Sequence, residues 1–209
     1  AIAFLPIEPQ GAASVAMQAD ASTGIVAVVS SSPDGSVIAS ANEATLLIQL
    51  WNATTGEPLR SIETSAAITS LDFSSTGTLL AAGMANGRLL LVDYGAGTIT
   101  TEIGQSDEVT DAALTVVSFS PVATRLAVAT GTRITVWDVT DPENLVMAQT
   151  ISTDIPIRTL AFSPDGTRIA AAGGSLDAQS VVTSVIRLWD LASGENTATL
   201  RAHTGAVNS

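Results

Sequence analysis

The chain contains no cysteine and no lysine, and it has one histidine among its 209 residues. Without cysteine there can be no disulfide, thiolate metal site or thiol nucleophile. Without lysine there can be no Schiff base, and a Ser-His-Asp relay would have to use His203. We therefore predict that the protein is not an enzyme and that it has no catalytic residue, metal site or cofactor.

Basic side chains are also scarce. Eight arginines, spread along the chain without a cluster, face twenty acidic residues, and the net charge is −12. Such a charge repels a phosphate backbone, so we predict no nucleic-acid partner. The sequence lacks a run of roughly 18 apolar residues, which argues against membrane insertion by this segment. Residues 1–20 carry no basic residue and do not resemble an intact secretion signal. Cytoplasmic and extracytoplasmic locations both stay open.

What the sequence does contain is a repeat. The phrase Phe-Ser-Pro-Asp-Gly at 162–166 has fainter copies upstream, and the four versions begin at Ser31, Phe73, Phe119 and Phe162, which are 42, 46 and 43 residues apart. A second phrase, Leu-Trp-Asp at 188–190, recurs with a similar period. Its versions have their middle residues at Trp51, Val92, Trp137 and Trp189. A period in the forties is typical of propeller blades.

Each period is patterned as short strands. In the third, apolar segments at 114–119, 125–129, 134–138 and 145–151 alternate with turns that are rich in Gly, Pro, Asn and Asp. This pattern favours strands and tight turns over helices. The sequence therefore predicts an all-β fold with one four-stranded antiparallel sheet per period.

The phrases resemble those of the WD-repeat β-propeller family, with Phe-Ser-Pro-Asp-Gly after the innermost strand and Leu-Trp-Asp ending the third. The resemblance covers residues 22–209 and is that of a divergent, prokaryotic, partial propeller. It implies four four-stranded blades and the start of a fifth, within a ring of about seven blades around a central channel. The expected units are an N-terminal segment, four blades and the next blade's start, at 1–21, 22–62, 63–103, 104–151, 152–202 and 203–209. The N-terminal segment is a candidate outer strand that closes the ring.

The resemblance also implies a structural role for six motif residues, which are Trp51, Trp137, Asp138, Trp189, Asp190 and His203. In the family a hydrogen-bonded tetrad links a His, a Ser or Thr, an Asp and the Trp of a blade. His203 fits the His position, but the equivalent positions of the earlier units hold Ser22, Thr64, Thr110 and Thr153. We therefore expect apolar packing to supply most of the stability.

The fourth unit carries an extension at 173–184, between its second and third strands. In this architecture such hairpins and the connections between blades emerge on one face, and loops on a rigid scaffold are where binding residues collect. The candidate partner-binding residues lie in this extension and in the connection between the second and third units, and they are Gln105, Asp107, Glu108, Asp111, Leu176, Asp177 and Gln179. The alternative is a tolerated insertion without a partner. For Asp107, Glu108 and Asp111 we favour a solvated loop over a cation site, because three carboxylates supply few of the oxygen ligands that calcium needs.

The sequence thus predicts a non-catalytic protein-protein interaction scaffold that binds other proteins, or other domains of the same polypeptide, through its loop-bearing face. One alternative is a structural subunit of a large multiprotein assembly. Another is a ligand-binding or hydrolase-associated propeller, which also uses Ser-Pro-Asp-Gly but against which the Leu-Trp-Asp phrases argue. Fold alone does not decide among them.

Overall fold

The computed structural model describes residues 26–42, 45–104, 115–176 and 182–201. Within these ranges the chain forms sixteen strands and no helix. The strands make four four-stranded antiparallel sheets, each built from consecutive strands. The prediction of an all-β fold with four four-stranded blades is therefore confirmed. None of the described residues belongs to a helix that could cross a membrane.

We number the blades in chain order. Blade 1 contains β1 (Val26–Ser31), β2 (Val37–Asn42), β3 (Leu47–Asn52) and β4 (Pro58–Glu63). Blade 2 contains β5 (Ile68–Phe73), β6 (Leu79–Met84), β7 (Arg88–Asp93) and β8 (Thr98–Gly104). Blade 3 contains β9 (Thr115–Phe119), β10 (Arg125–Thr130), β11 (Arg133–Asp138) and β12 (Val146–Ser152). Blade 4 contains β13 (Ile157–Phe162), β14 (Arg168–Leu176), β15 (Val182–Asp190) and β16 (Asn196–Leu200).

The burial of the strands follows from their place in the blade. All six residues of β6 are buried, whereas the outer strand β8 has no buried residue. A strand that is covered on both faces reads as a continuous apolar run rather than an alternating one. This explains why β6, Leu-Leu-Ala-Ala-Gly-Met, is apolar throughout.

Three apolar clusters join the four blades. The first lies between blades 1 and 2, the second between blades 2 and 3, and the third between blades 3 and 4. The first strands also contact one another in order, from β1 to β5, β9 and β13. The first strand of each blade therefore lies innermost, and the blades radiate from that side.

Two of the three tryptophans are placed at these interfaces. Trp137 packs against the cluster between blades 2 and 3, and Trp189 belongs to the cluster between blades 3 and 4. Each ring thus faces the preceding blade. Trp189 is 4% exposed and Trp51 is 3% exposed. Burying a Trp removes about 150–250 Å² of surface, so these residues carry a large share of the apolar packing.

One tryptophan also makes the kind of bond that the motif analysis expected to be largely lost. In blade 1, Nε1 of Trp51 donates a hydrogen bond to Oγ of Ser40 at 2.8 Å, and both groups are buried. In blade 3, Nε1 of Trp137 is buried without a partner. In blade 1 a buried polar pair thus adds to the apolar packing, and the expectation that apolar packing supplies most of the stability stays a prediction.

Truncating Trp189 tests the packing directly. We expect Trp189→Ala to lower the free energy of unfolding by about 3–5 kcal/mol, because it empties a packed site between two blades. Denaturant unfolding followed by circular dichroism measures the loss. Leu59→Ala is the control, since Leu59 is 53% exposed on the outer strand of blade 1. Equal losses for the two variants would contradict the placement of Trp189 between blades.

Candidate partner-binding face

The connections between strands are divided between two ends of the blades. At one end, the two described connections between blades are bonded to hairpins between second and third strands. Thr64 donates its N–H to the carbonyl of Leu46 at 2.9 Å, and Thr153 donates to Thr132 at 2.8 Å. We call this end the loop face and define it by residues 45–46, 64–67, 85–87, 131–132 and 153–156.

The opposite end, the turn face, carries the Ser-Pro-Asp-Gly turns and the turns between third and fourth strands, at 32–36, 53–57, 74–78, 94–97, 120–124, 139–145, 163–167 and 191–195. Its aspartates accept hydrogen bonds from their own turns. Asp165 accepts from Oγ of Ser163 at 2.5 Å and from the backbone and hydroxyl of Thr167 at 3.0 and 2.8 Å. These bonds lower the pKa of Asp165 to about 2. The aspartates of the turn face are therefore engaged in hydrogen bonds within their own turns.

Asp138 and Asp190 have the same kind of environment. Asp138 accepts from the hydroxyl and the backbone N–H of Thr140 at 2.6 and 2.9 Å. Asp190 accepts from the backbone N–H groups of Ser193 and Ala192, both at 3.0 Å. The bonds from Thr140 and Ser193 lower the pKa of the respective carboxyls. Both carboxylates thus stabilise turns, and each lies at the end of its third strand.

The extension in blade 4 is a longer hairpin. β14 and β15 have nine residues each, against six in the second and third strands of the other blades. Their pairing continues through Gly174 with Ser184, Ser175 with Thr183 and Leu176 with Val182. The expectation of a loop over 173–184 is therefore wrong at both ends, because strand pairing continues to Leu176 and resumes at Val182. Leu176 is a strand residue rather than a loop residue.

The base of this hairpin is held against the connection between blades 3 and 4. A Cβ added to Gly173 would meet the carbonyl oxygen of Pro156 at 1.8 Å, so only glycine allows this approach. Nη2 of Arg187 on β15 pairs with Oδ1 of Asp154 at 2.6 Å. The hairpin therefore rises from a well-supported part of the loop face.

Leu46 is a second distinctive feature of the loop face, and one that sequence analysis missed. Its φ of 49° is left-handed, and its side chain is 39% exposed. Gly87 has the same place, directly before the third strand of blade 2, and a φ of 81°. A left-handed conformation costs an L-residue about 1–2 kcal/mol that glycine does not pay. The signal in the sequence was the absence of a glycine before Leu47.

Most of the predicted partner-binding residues lie outside the described residues. These are Gln105, Asp107, Glu108, Asp111, Asp177 and Gln179, and the motif residue His203 joins them. The N-terminal segment at 1–21 lies there as well. In the part of the chain that the structure describes, no group of three His, Cys, Asp or Glu side chains could hold a metal ion.

A row of polar side chains joins the innermost strands of blades 2 and 3. On β5, the hydroxyl of Thr69 donates to the carbonyl of Thr115 at 2.6 Å. Ser70 Oγ accepts from the N–H of Val117 at 3.2 Å, and Asp72 Oδ2 accepts from the N–H of Phe119 at 2.6 Å. Side chains of one blade therefore satisfy the free backbone edge of the next. Burial raises the pKa of Asp72 to about 6, although the bond from Phe119 opposes the rise.

Comparison with known families identifies the repeats. The model of the WD domain, G-beta repeat (WD40), matches residues 56–93 and 148–190. The first match runs from β4 through β7, and the second runs from within β12 through β15. Each match therefore extends from the outer strand of one blade to the third strand of the next. The chain therefore contains two segments that match the WD40 repeat.

Solved structures give the same fold. The chain is similar to the structure of U3-55K, with 17% identity over 92% of this chain and 56% of that one, at a TM-score of 0.75. It is similar to the crystal structure of RRP9 WD40 repeats, with 18% identity over 92% of this chain and 55% of that one, at a TM-score of 0.74. At these identities the likeness defines a WD40 β-propeller fold and nothing further.

A third similar structure is the hydrazine synthase of Kuenenia stuttgartiensis. It shares 20% identity over 94% of this chain and 53% of that one, at a TM-score of 0.75. The chain thus spans just over half the length of all three structures. A search of curated proteins finds no match.

The partly buried carboxyl of Asp72, between blades 2 and 3, predicts a pH dependence of stability. Because the folded pKa of Asp72, about 6, exceeds its ordinary value of 3.8, the folded state holds the proton more tightly. The contribution of the Asp72 carboxyl to the free energy of unfolding is therefore complete below about pH 4. It is lost as the pH rises to 6. We expect Asp72→Asn, which keeps an acceptor for Phe119, to remove this fall and to stabilise the protein at pH 7 by about 1–3 kcal/mol.

Denaturant unfolding between pH 4 and 7 measures the effect in both proteins. Glu63→Gln is the control, because Glu63 is exposed on the outer strand of blade 1. A parallel pH dependence in wild type and Asp72→Asn would contradict the assignment to Asp72.

Proposed function

We propose that this protein is a non-catalytic interaction scaffold that binds another protein, or another domain of its own polypeptide, through the loop face. The observation that carries the proposal is the β14–β15 hairpin. Among the described hairpins between second and third strands it alone extends the ladder past the common six residues, and it does so on the loop face. On the opposite face, the aspartates Asp138, Asp165 and Asp190 are engaged in hydrogen bonds within their own turns.

Leu46 supports the same face. It keeps an exposed apolar side chain in a left-handed conformation that glycine would adopt with less strain. Strained residues persist where the surrounding structure over-determines them, and they concentrate at functional sites. A contact between the Leu46 side chain and a partner would explain why this strained conformation is kept.

The charge of the chain restricts the partner. At −12 it disfavours nucleic acid, and an acidic surface attracts a partner with complementary basic groups. The fold agrees with such a role, since WD40 propellers commonly mediate protein-protein interaction. The segments at 105–114 and 177–181, which hold six of the predicted binding residues, remain part of the proposed contact surface.

A second candidate function is that of a structural subunit in a larger assembly or enzyme. The similarity to hydrazine synthase favours keeping it, because that structure shows this fold within an enzyme. The two proposals differ in the interface. A permanent subunit would bury more than about 2,000 Å² and would not dissociate on dilution, whereas a scaffold contact would be smaller and reversible.

Shortening the hairpin tests the scaffold proposal. We expect a variant in which a two-residue turn joins Gly173 to Val185 to fold normally, because the apolar cluster between blades 3 and 4 keeps all its residues. The variant should lose proteins that wild type captures from lysate of the source cells, as read by quantitative mass spectrometry. Glu143→Ala, on the turn face, should keep them. Capture of the same proteins by the shortened variant would remove the hairpin from the contact surface.

Leu46→Gly separates strain from binding. We expect the free energy of unfolding to stay unchanged or to rise by up to about 1 kcal/mol, because glycine relieves the left-handed strain but loses more chain entropy. Capture of the same proteins should weaken at least about threefold with the loss of the exposed side chain. Leu59→Gly, which changes an exposed residue on β4, is the control for capture. Full retention of partners by Leu46→Gly would exclude Leu46 from the contact.

A further inference from the structure

The outer strands β4, β8, β12 and β16 are the edges of the four sheets, and each has a row of backbone N–H and C=O groups on its unpaired side. Natural sheets protect such edges with charges, proline or short length, because an open edge pairs with other strands. β4 contains Pro58, Arg60 and Glu63, and β8 contains Glu102. β16 is five residues long.

β12 lacks charge, proline and short length, although it shares with the other outer strands a shift of register, here between Val136 and Trp137, that marks a β-bulge. It is seven residues long, Val-Met-Ala-Gln-Thr-Ile-Ser, and contains neither a charge nor a proline. Val146 and Met147 are 63% and 58% exposed, and no other outer strand of the described chain has two adjacent large apolar residues exposed to that degree. An uncharged segment of six or seven residues with exposed apolar side chains is typical of strands that pair between molecules.

The groups around the two ends of β12 differ in net charge. At its beginning, Val146 pairs with Asp138, which itself pairs with Arg125, and the preceding turn carries the exposed Asp141 and Glu143. At its end, Ser152 pairs with the exposed Arg133, while Asp154, two residues further on, forms an ion pair with Arg187. A second β12 placed antiparallel to the first would bring the acidic end of each strand beside the basic end of the other. The edge is therefore complementary in charge to a copy of itself.

We propose that β12 is a self-association edge, which pairs antiparallel with β12 of a second copy of this chain around a two-fold axis at Gln149. This register sets Val146 opposite Ser152 of the second copy and Met147 opposite Ile151 of the second copy. It joins two four-stranded blades into one eight-stranded sheet. A symmetric dimer of this kind uses the same patch on both subunits.

The dimer does not depend on the proposed function. The outer edge of blade 3 is distinct from the loop face, so partner capture through the hairpin could persist in a monomer. Conversely, loss of the hairpin should leave the dimer intact. The two proposals therefore fail separately.

An engineered cysteine tests the register, and the absence of natural cysteine makes the result unambiguous. Residues that face each other across an antiparallel pair have Cα atoms about 4.5–5.5 Å apart, within disulfide range. We expect Gln149→Cys to form a disulfide-linked dimer under mild oxidation. Ser61→Cys, an exposed position on the charged edge β4, should stay monomeric. Equal cross-linking of both variants, or of neither, would overturn the proposal.

The mass of the wild-type chain in solution gives a second test. Size-exclusion chromatography with light scattering should show a rise from 21.2 kDa towards twice that value as concentration increases. Met147→Lys should hold the mass at 21.2 kDa, because it places a charge on the edge. Ile99→Lys is the matched control, since Ile99 is 47% exposed on β8, and it should dimerise like wild type. A constant monomer mass for wild type, or a dimer of Met147→Lys, would overturn the proposal.

Discussion

The structure depends on the burial of apolar side chains between neighbouring blades. Each interior sheet is apolar on both faces, as the six buried residues of β6 show, so a single blade could not cover itself. In blade 2, Leu80 and Leu90 pack towards blade 1 while Ala81 and Leu89 pack towards blade 3. At about 25 cal/mol per Å² of apolar area, such contacts outweigh any single hydrogen bond in the fold. We therefore expect the interfaces between blades to supply most of the stability, and each added blade adds another such interface.

Radial packing leaves a polar problem at the innermost strands, since each has hydrogen-bonding partners on one side alone. Between blades 2 and 3 the side chains of Thr69, Ser70 and Asp72 solve it by bonding to the backbone of β9. The solution has a cost, because a carboxylate is partly removed from water and its pKa rises. The interface between blades 2 and 3 thus combines apolar packing with a titratable contact. The free energy of unfolding therefore depends on pH.

Sequence patterns were sufficient to predict the fold because the repeat imposes the same local chemistry four times. The Ser-Pro-Asp-Gly and Leu-Trp-Asp phrases mark turns and strand ends, and the observed strands begin and end within one or two residues of the expected limits outside the extension. There, Gly173, Gly174 and Ser175 suggested a loop, but pairing with β15 overrides the weak strand preference of such residues. The predicted partner-binding residues and the unit limits stay predictions. Leu46 was missed because its distinction is a backbone angle, which the sequence signals only through the absence of a glycine before Leu47.

The same architecture explains why the loop face and the outer edges can acquire functions without disturbing the core. Core contacts use residues inside the blades, whereas the β14–β15 hairpin adds pairs beyond them, and Gly173 together with the Arg187–Asp154 pair fixes its base. β12 likewise uses only groups that the sheet leaves unpaired. Because each of these features lies at the end or margin of a blade, substitutions there leave the apolar clusters between blades unchanged. A core that is separate from the exposed margins suits the interaction scaffold that we propose.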